Sequence, residues 1–200
     1  MGRRAKTQFN RNKTQERQPY DRVLIVCEGK KTEINYFRGL IDKLKLNTAN
    51  IEILDINKNT PDSLFGAVEK LYQQSKRDGN IFDRVYCIFD KDRHTQYQAT
   101  KNRIDNIREP KNTYYYAFSE PCFEYWLLLH YEDTTKPFIC FDELRKDKKF
   151  RKHFPGYQKN QDIFTERLQD KIETACQNAK NNPHTNINEL VEYLQNIKNR

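Results

Sequence analysis

The chain has 200 residues and a formal charge of +8 at pH 7. That length admits one α/β domain with helical additions and excludes three ordered domains, while the positive balance favours a polyanionic partner such as RNA, DNA or an anionic nucleotide. Five cysteines, Cys27, Cys87, Cys122, Cys140 and Cys176, are odd in number and form no CxxC, which points to buried reduced thiols rather than a disulfide framework. No apolar stretch approaches membrane-spanning length and the N-terminus lacks a signal peptide's apolar core, so a cytoplasmic protein with no membrane partner is expected.

Residues 1–20 carry Arg3, Arg4, Lys6, Arg11, Lys13 and Arg17 among Gln, Asn and Thr, with almost nothing to bury. They read as a flexible basic arm, either a phosphate-contacting tail or a solubilising terminus. The apolar run 23–26 then predicts a short strand, followed by Cys27-Glu28-Gly29-Lys30-Lys31, a tight turn with one acid and two bases. Ile34, Phe37, Ile41 and Leu44 recur at helical spacing and predict a helix over about 32–46. The strand-turn-helix unit is neither GxxxxGK[ST] nor GxGxxG, so neither nucleotide-binding motif applies.

Residues 51–56 alternate enough to lie at a sheet edge, and Thr60-Pro61 reads as an N-cap with proline in the first turn of the next helix. Val85 to Phe89 is short, β-branched and aromatic, a buried strand that stops at Asp90-Lys91-Asp92. Two carboxylates at i and i+2 fall on one side of an extended chain, where they can share a divalent cation. An acidic turn after a strand gives the same residues without chemistry, so the pair takes its weight from the earlier acidic strand end, Glu28. Lys91, between the two, should point away from them and support the strand end. A weak helix to about residue 108 and a strand over 113–118 follow. Strands separated by helices predict an α/β fold with a mostly parallel sheet covered on both faces. In such a sheet functional groups gather beyond the C-terminal strand ends, where Glu28, Asp90, Asp92 and Ser119-Glu120 all fall.

Residues 121–130 predict a helix with Phe123, Trp126, Leu127 and His130 on one face and Glu120 and Glu124 on another. A glutamate among Phe, Trp and Leu must face a cation, a base or solvent, which makes Glu124 a site candidate, with Glu120 and His130 behind it; His130 fits a core or capping role equally well. Beyond Tyr131 the chain turns polar. Lys149, Arg151 and Lys152 lie in a basic stretch that either forms a solvated face or, with Tyr157 and Lys159, grips a phosphate backbone. Ile163, Leu168, Ile172 and Cys176 mark one helix and Ile187, Leu190, Val191, Leu194 and Ile197 another, packed on the sheet as a helical extension.

Taken together, VLIVCEGKKTEINYF, VYCIFDKDRH, SEPCFEYWLLLHY, GYQK and NPHTNINELV resemble the RloB family. That resemblance covers most of the chain from Val23 onward and implies a Toprim-like catalytic domain, the fold of topoisomerases, primases and certain nucleases, with genes often near phage-defence systems. It implies a Toprim/Rossmann-like sheet in residues 21–131, preceded by the arm 1–20 and followed by the helical extension 132–200. The Toprim glutamate matches Glu28, its glycine Gly29, and the DxD pair Asp90 and Asp92; the acidic aromatic helix matches Cys122, Phe123, Glu124 and Trp126. Glu120 departs from the asparagine expected there, and the chain lacks the longer acidic signature of primases. The implied activity is metal-dependent cleavage of RNA, tRNA included, or DNA. Glu28, Asp90, Asp92 and Glu124 would serve as Mg²⁺ or Mn²⁺ ligands and catalytic groups, with Lys30 neutralising phosphate charge. Lys31, Arg93, His94, Lys149, Arg151, Lys152, Lys159 and the arm are the expected nucleic-acid contacts, and a cognate defence-system sensor or ATPase is the expected protein partner. A silent nucleic-acid-binding protein and another DxD phosphoryl-transfer enzyme stay open as alternatives; the second leaves Glu28 without a role.

Overall fold

The computed structural model describes residues 21–29, 31–48, 50–56, 60–91, 96–107 and 112–199. The basic arm at 1–20, and with it Arg3, Arg4, Lys6, Arg11, Lys13 and Arg17, lies outside the described residues, as do Lys30, Asp92, Arg93 and His94.

Four strands, β1 (Val23–Cys27), β2 (Ile51–Asp55), β3 (Arg84–Asp90) and β4 (Tyr114–Ser119), form a sheet of order β2-β1-β3-β4 in which every neighbouring pair is parallel. The partly exposed β2 takes an edge, as its alternation predicts, while β1 and β3 are almost wholly apolar because both their faces are covered. Helices α1 (Thr32–Lys43), α2 (Pro61–Arg77) and α3 (Tyr97–Asp105) join the strands. Thr60 caps α2 by accepting the Ser63 N–H at 3.3 Å, with Pro61 in the first turn. Helix α1 stops short of the expected residue 46: Lys45 takes φ 51°, and Leu46 N–H returns to Ile41 O at 3.1 Å, a Schellman-type ending.

Strand alternation sorts the core into two layers. Val23, Ile25, Cys27, Tyr86, Ile88 and Ala117 pack with α1 and the C-terminal helices. Leu24, Val26, Val85, Cys87 and Phe89 pack with α2 and α3. Helix α1 therefore leaves β1 over one face and returns to β2, whereas α3 leaves β3 over the other face and returns to β4. The crevice between the C-terminal ends of β1 and β3 is the topological switch point, where open α/β sheets place their sites.

After β4 come α4 (Glu124–Leu129), α5 (Phe141–Lys146), α6 (Lys148–His153), a π-helical turn (Phe164–Leu168), α7 (Ile172–Ala179) and α8 (Ile187–Asn196). Helix α4 is shorter than expected and buried on all sides, without a separate polar face, because it touches β4, α5, α6 and α7. The single helix expected from Ile163 to Cys176 is two pieces. Gln169 N–H reaches back to Phe164 O at 3.0 Å, closing the wide turn, and α7 starts anew at Ile172. The C-terminal helices share one core with the sheet: Leu168, Ala175, Leu190 and Leu194 belong to the layer that holds Ile25 and Phe37. His130 is part of this core. Its Nδ1 lies 3.1 Å from Trp126 O and its Nε2 3.1 Å from Tyr36 Oη, and burial pushes its pKa down to about 4. A neutral ring donating to the α4 carbonyl and accepting from Tyr36 is a core and capping histidine. The cysteines are free thiols, four buried and Cys140 half-buried, and among the described residues no helix is long and apolar enough to cross a membrane.

Candidate active site

The switch point is built by register. Cys27 pairs with Ile88, and Glu28 N–H extends the ladder to Ile88 O at 3.0 Å. Asp90, the last residue of β3, sits opposite Ser119 of β4 and shares strand parity with Tyr86 and Ile88, so it faces the layer that contains α1 and α4. There its Oδ1 accepts the Phe123 N–H at 2.9 Å. That bond delivers the next residue, Glu124, into the same crevice with only 1% of its surface exposed. Lys91 turns the other way, as the alternation predicts: its ammonium lies 3.0 Å from Glu120 Oε2 and over the Tyr97 and Phe118 rings.

A fourth carboxylate joins them that sequence reasoning had not singled out. Glu33 stands in the first turn of α1, 5% exposed. Its carboxylate lies on Gly29, where a Cβ would overlap both Oε atoms. Burial pushes the Glu33 carboxyl up to about 7, against a backbone hydrogen bond that lowers it; Glu124 and Glu28 add to the rise and Lys159 opposes it. Asp90 is held well above the usual carboxylate range by burial, then by Glu33 and Glu124, with Lys159 again opposing and Glu28 adding to the rise. Burial and the same acids, Glu124 first and then Asp90, raise the Cys122 thiol. Glu28 and Glu124 thus act on both Glu33 and Asp90, and Glu33 acts on Asp90, so the four carboxylates belong to one cluster.

The counterweight comes from the helical extension. Glu124 Oε1 receives the Tyr157 hydroxyl at 2.9 Å, lies 3.4 Å from Thr32 Oγ1 and 3.6 Å from the Lys159 ammonium. Thr32 Oγ1 also lies 3.1 Å from the Lys159 carbonyl and 3.3 Å from Tyr157 Oη, tying residues 157–159 to the start of α1. Gly156 supplies the turn with φ 68°, and Phe141, Phe150 and Phe154 pack against the Tyr157 ring. Tyr157 and Lys159 are thus wall residues of the acidic cleft, joined to it by contacts distant in sequence.

The remaining candidates disperse. Glu120 is not in this cluster; it bridges Lys91 and His184, the latter at 3.3 Å. Lys31 is exposed beside the start of α1. Lys149 pairs with Glu132 at 2.8 Å, while Arg151 and Lys152 are exposed on α6. A shallow depression of about 600 Å³ is lined by Lys136, Lys146, Lys148 and Lys149 together with Glu143 and Asp147. Among the described residues no group of three or more His, Cys, Asp or Glu side chains stands in a metal-holding arrangement. The donor chemistry of the cleft is nevertheless that of hard oxygen ligands, and Glu33 and Asp90, pushed up by burial and by neighbouring acids, are groups whose charged form a hard cation favours.

The family described as RloB-like protein matches residues 23–194, which span every strand and α-helix above apart from the last two residues of α8. A search of curated proteins gives no match to the chain.

Proposed function

The chain belongs to the RloB-like family, and on that premise, together with the acidic cleft at the switch point, we propose that it is a metal-dependent nuclease cleaving phosphodiester bonds in RNA, tRNA included, or in DNA. The observation that carries this reading is the gathering of Glu28, Glu33, Asp90 and Glu124, from three segments far apart in sequence, at the C-terminal edge of β1 and β3. The Asp90 bond to Phe123 N–H and the contacts of Glu124 give these two acids structural tasks, but neither task calls for gathering further carboxylates beside them at the cost of desolvation and mutual repulsion. A site that awaits a cation accounts for them directly.

In this reading Glu28, Asp90 and Glu124, with Asp92 from the segment after β3, would hold Mg²⁺ or Mn²⁺. Bound there, the cation supplies Lewis acidity toward the scissile phosphate and lowers the pKa of an attacking water. Glu33, in the first turn of α1 within the same cleft, is the candidate to take up or release a proton there, as a general acid or base requires. Tyr157 and Thr32 fix the rotamer of Glu124 through its Oε1. In sequence Lys30 and Lys31 follow Glu28 and Arg93 follows Asp92, and these bases would meet phosphate charge together with Arg151 and Lys152 of α6. The domain division that goes with this is a basic arm at 1–20, a catalytic sheet domain at 21–131 and an extension at 132–200 that completes the site with Tyr157 and Lys159. The family's link to phage defence suggests a cytoplasmic effector with a cognate sensor or ATPase.

A binding-only role is the second reading, and it is favoured by Lys159 already balancing part of the cleft's charge. Purified protein incubated with total tRNA, single-stranded DNA and duplex DNA, in Mg²⁺, Mn²⁺ or chelator, separates the two. A nuclease gives products in metal alone; a binder gives none under any metal and keeps its affinity in chelator.

A further inference from the structure

Among the described residues, Lys159 brings an ammonium to this acidic cleft. Lys91 is committed to Glu120 and Lys149 to Glu132, so neither serves the cleft. Lys159 is the cation to which Glu33, Asp90 and Cys122 all respond. Its contact with Glu124 is of an exchangeable kind. At 3.6 Å it is longer than a charge-assisted hydrogen bond, which runs about 2.7–2.9 Å, whereas the Tyr157 hydroxyl holds the same oxygen at 2.9 Å. The Lys159 side chain is 53% exposed, although Glu124 is 1% exposed, so the ammonium has an open side through which to leave. The backbone does not leave with it, because the Lys159 carbonyl lies within hydrogen-bond reach of Thr32 Oγ1. The Phe141 ring, 4.5 Å from the ammonium, gives the displaced head a second resting place.

We infer that Lys159 is a positioning residue, the cleft's built-in counter-ion. Its ammonium keeps the charge-balancing place beside Glu124 that a divalent cation takes over, and on that exchange it turns to the open side, where a substrate phosphate approaches. This rests on the phosphoryl-transfer reading above and deepens it: cation entry and phosphate neutralisation become one event. Lys159 then competes with the cation for Glu124. Removing its charge tightens cation binding while weakening productive contact with the substrate, a combination that a merely structural lysine does not give.

The test is Mn²⁺ binding to the full chain, followed by electron paramagnetic resonance without substrate, for the wild type, Lys159→Met and Lys159→Arg. The inference expects roughly tenfold tighter Mn²⁺ binding in Lys159→Met, with Lys159→Arg near wild type. Equal or weaker binding in Lys159→Met, with Mn²⁺ still bound by the wild type, overturns the counter-ion role and leaves the nuclease reading standing. Absence of Mn²⁺ binding in all three proteins overturns both. A second measurement on the wild type needs no variant to fold: lysine acetylation read by mass spectrometry, with and without Mn²⁺. Lys159 should become several-fold more reactive when Mn²⁺ is added while Lys101, paired with Asp105, does not change; an unchanged Lys159 overturns the inference.

Discussion

Asp90 Oδ1 accepts the backbone N–H of Phe123 at 2.9 Å, so the end of the central strand β3 is fastened to the start of a helix 33 residues later. This bond brings Glu124 to the cleft, and it gives Asp90 a structural task besides any chemical one.

The two tasks separate by substitution. Asp90→Asn keeps an oxygen acceptor for Phe123 N–H, whereas Asp90→Ala removes it; both remove the charge. Asp90→Ala should therefore be less stable than Asp90→Asn by about 1–3 kcal/mol, the cost of an unsatisfied buried N–H. Urea denaturation of the pair in chelator checks this, and equal midpoints would show that Phe123 finds another partner.

Gly29 and Glu33 should behave as a coupled pair. A Cβ at Gly29 overlaps the Glu33 carboxylate, which is the movable end of a side chain, so Gly29→Ala should fold but push Glu33 out of place. We expect Gly29→Ala and Glu33→Ala each to weaken Mn²⁺ binding by roughly tenfold, with the double variant no worse than either single one. Additive losses, measured by the same binding titration, would mean that the two act separately.

Stability of the metal-free protein should peak on the acid side of neutrality and fall as pH rises through 7. Glu33 has an ordinary value of 4.5 raised to about 7, so folding favours its protonated form. Its stability contribution is complete below 4.5 and is lost as pH rises through 7. Asp90 adds a loss of the same sign. His130, lowered from 6.5 to about 4, acts oppositely: its contribution is complete above 6.5 and is lost as pH falls toward 4. Between 4.5 and 6.5 the Glu33 loss cancels the His130 gain and Asp90 still loses, so thermal melting in chelator should show its maximum near about pH 4–5 and a fall through pH 7, and Mn²⁺ should flatten that fall. A Tm that keeps rising to pH 9 without metal would contradict this.

Gly39 reports on how the helical extension docks. In the middle of a helix, Gly to Ala ordinarily gains about 1 kcal/mol. Here the added Cβ meets the buried Phe164 ring. Gly39→Ala should instead lose about 1–3 kcal/mol through overpacking, and Phe164→Leu in the same chain should restore part of it. Chemical denaturation decides, and a stabilised Gly39→Ala would show that Phe164 moves freely.

The sheet and the two acidic strand ends were legible because they obey local rules. Apolar strand runs, the Thr60-Pro61 start and the alternation that turns Lys91 away from Asp90 each follow from neighbours in sequence. Glu33 was not legible, since an acid in the first turn of a helix is ordinary there; the available signal was a glycine four residues earlier, in the same turn as Glu28. Tyr157 and Lys159 were legible only as a turn beside basic residues. What draws them to Glu124 is the docking of a segment 33 residues further along the chain, and that depends on how the helices pack. The break at residues 169–171 was hidden for the same reason, since Ile163 to Cys176 keeps helical spacing across it.

The account stands most directly on cleavage of labelled tRNA and DNA in Mn²⁺ by the wild type and by Asp90→Asn, with thermal melting to show that the variant is folded. The wild type should give products that chelator abolishes, and folded Asp90→Asn should be slower by roughly 100-fold or more. Cleavage by Asp90→Asn at the wild-type rate would place the chemistry outside this cleft.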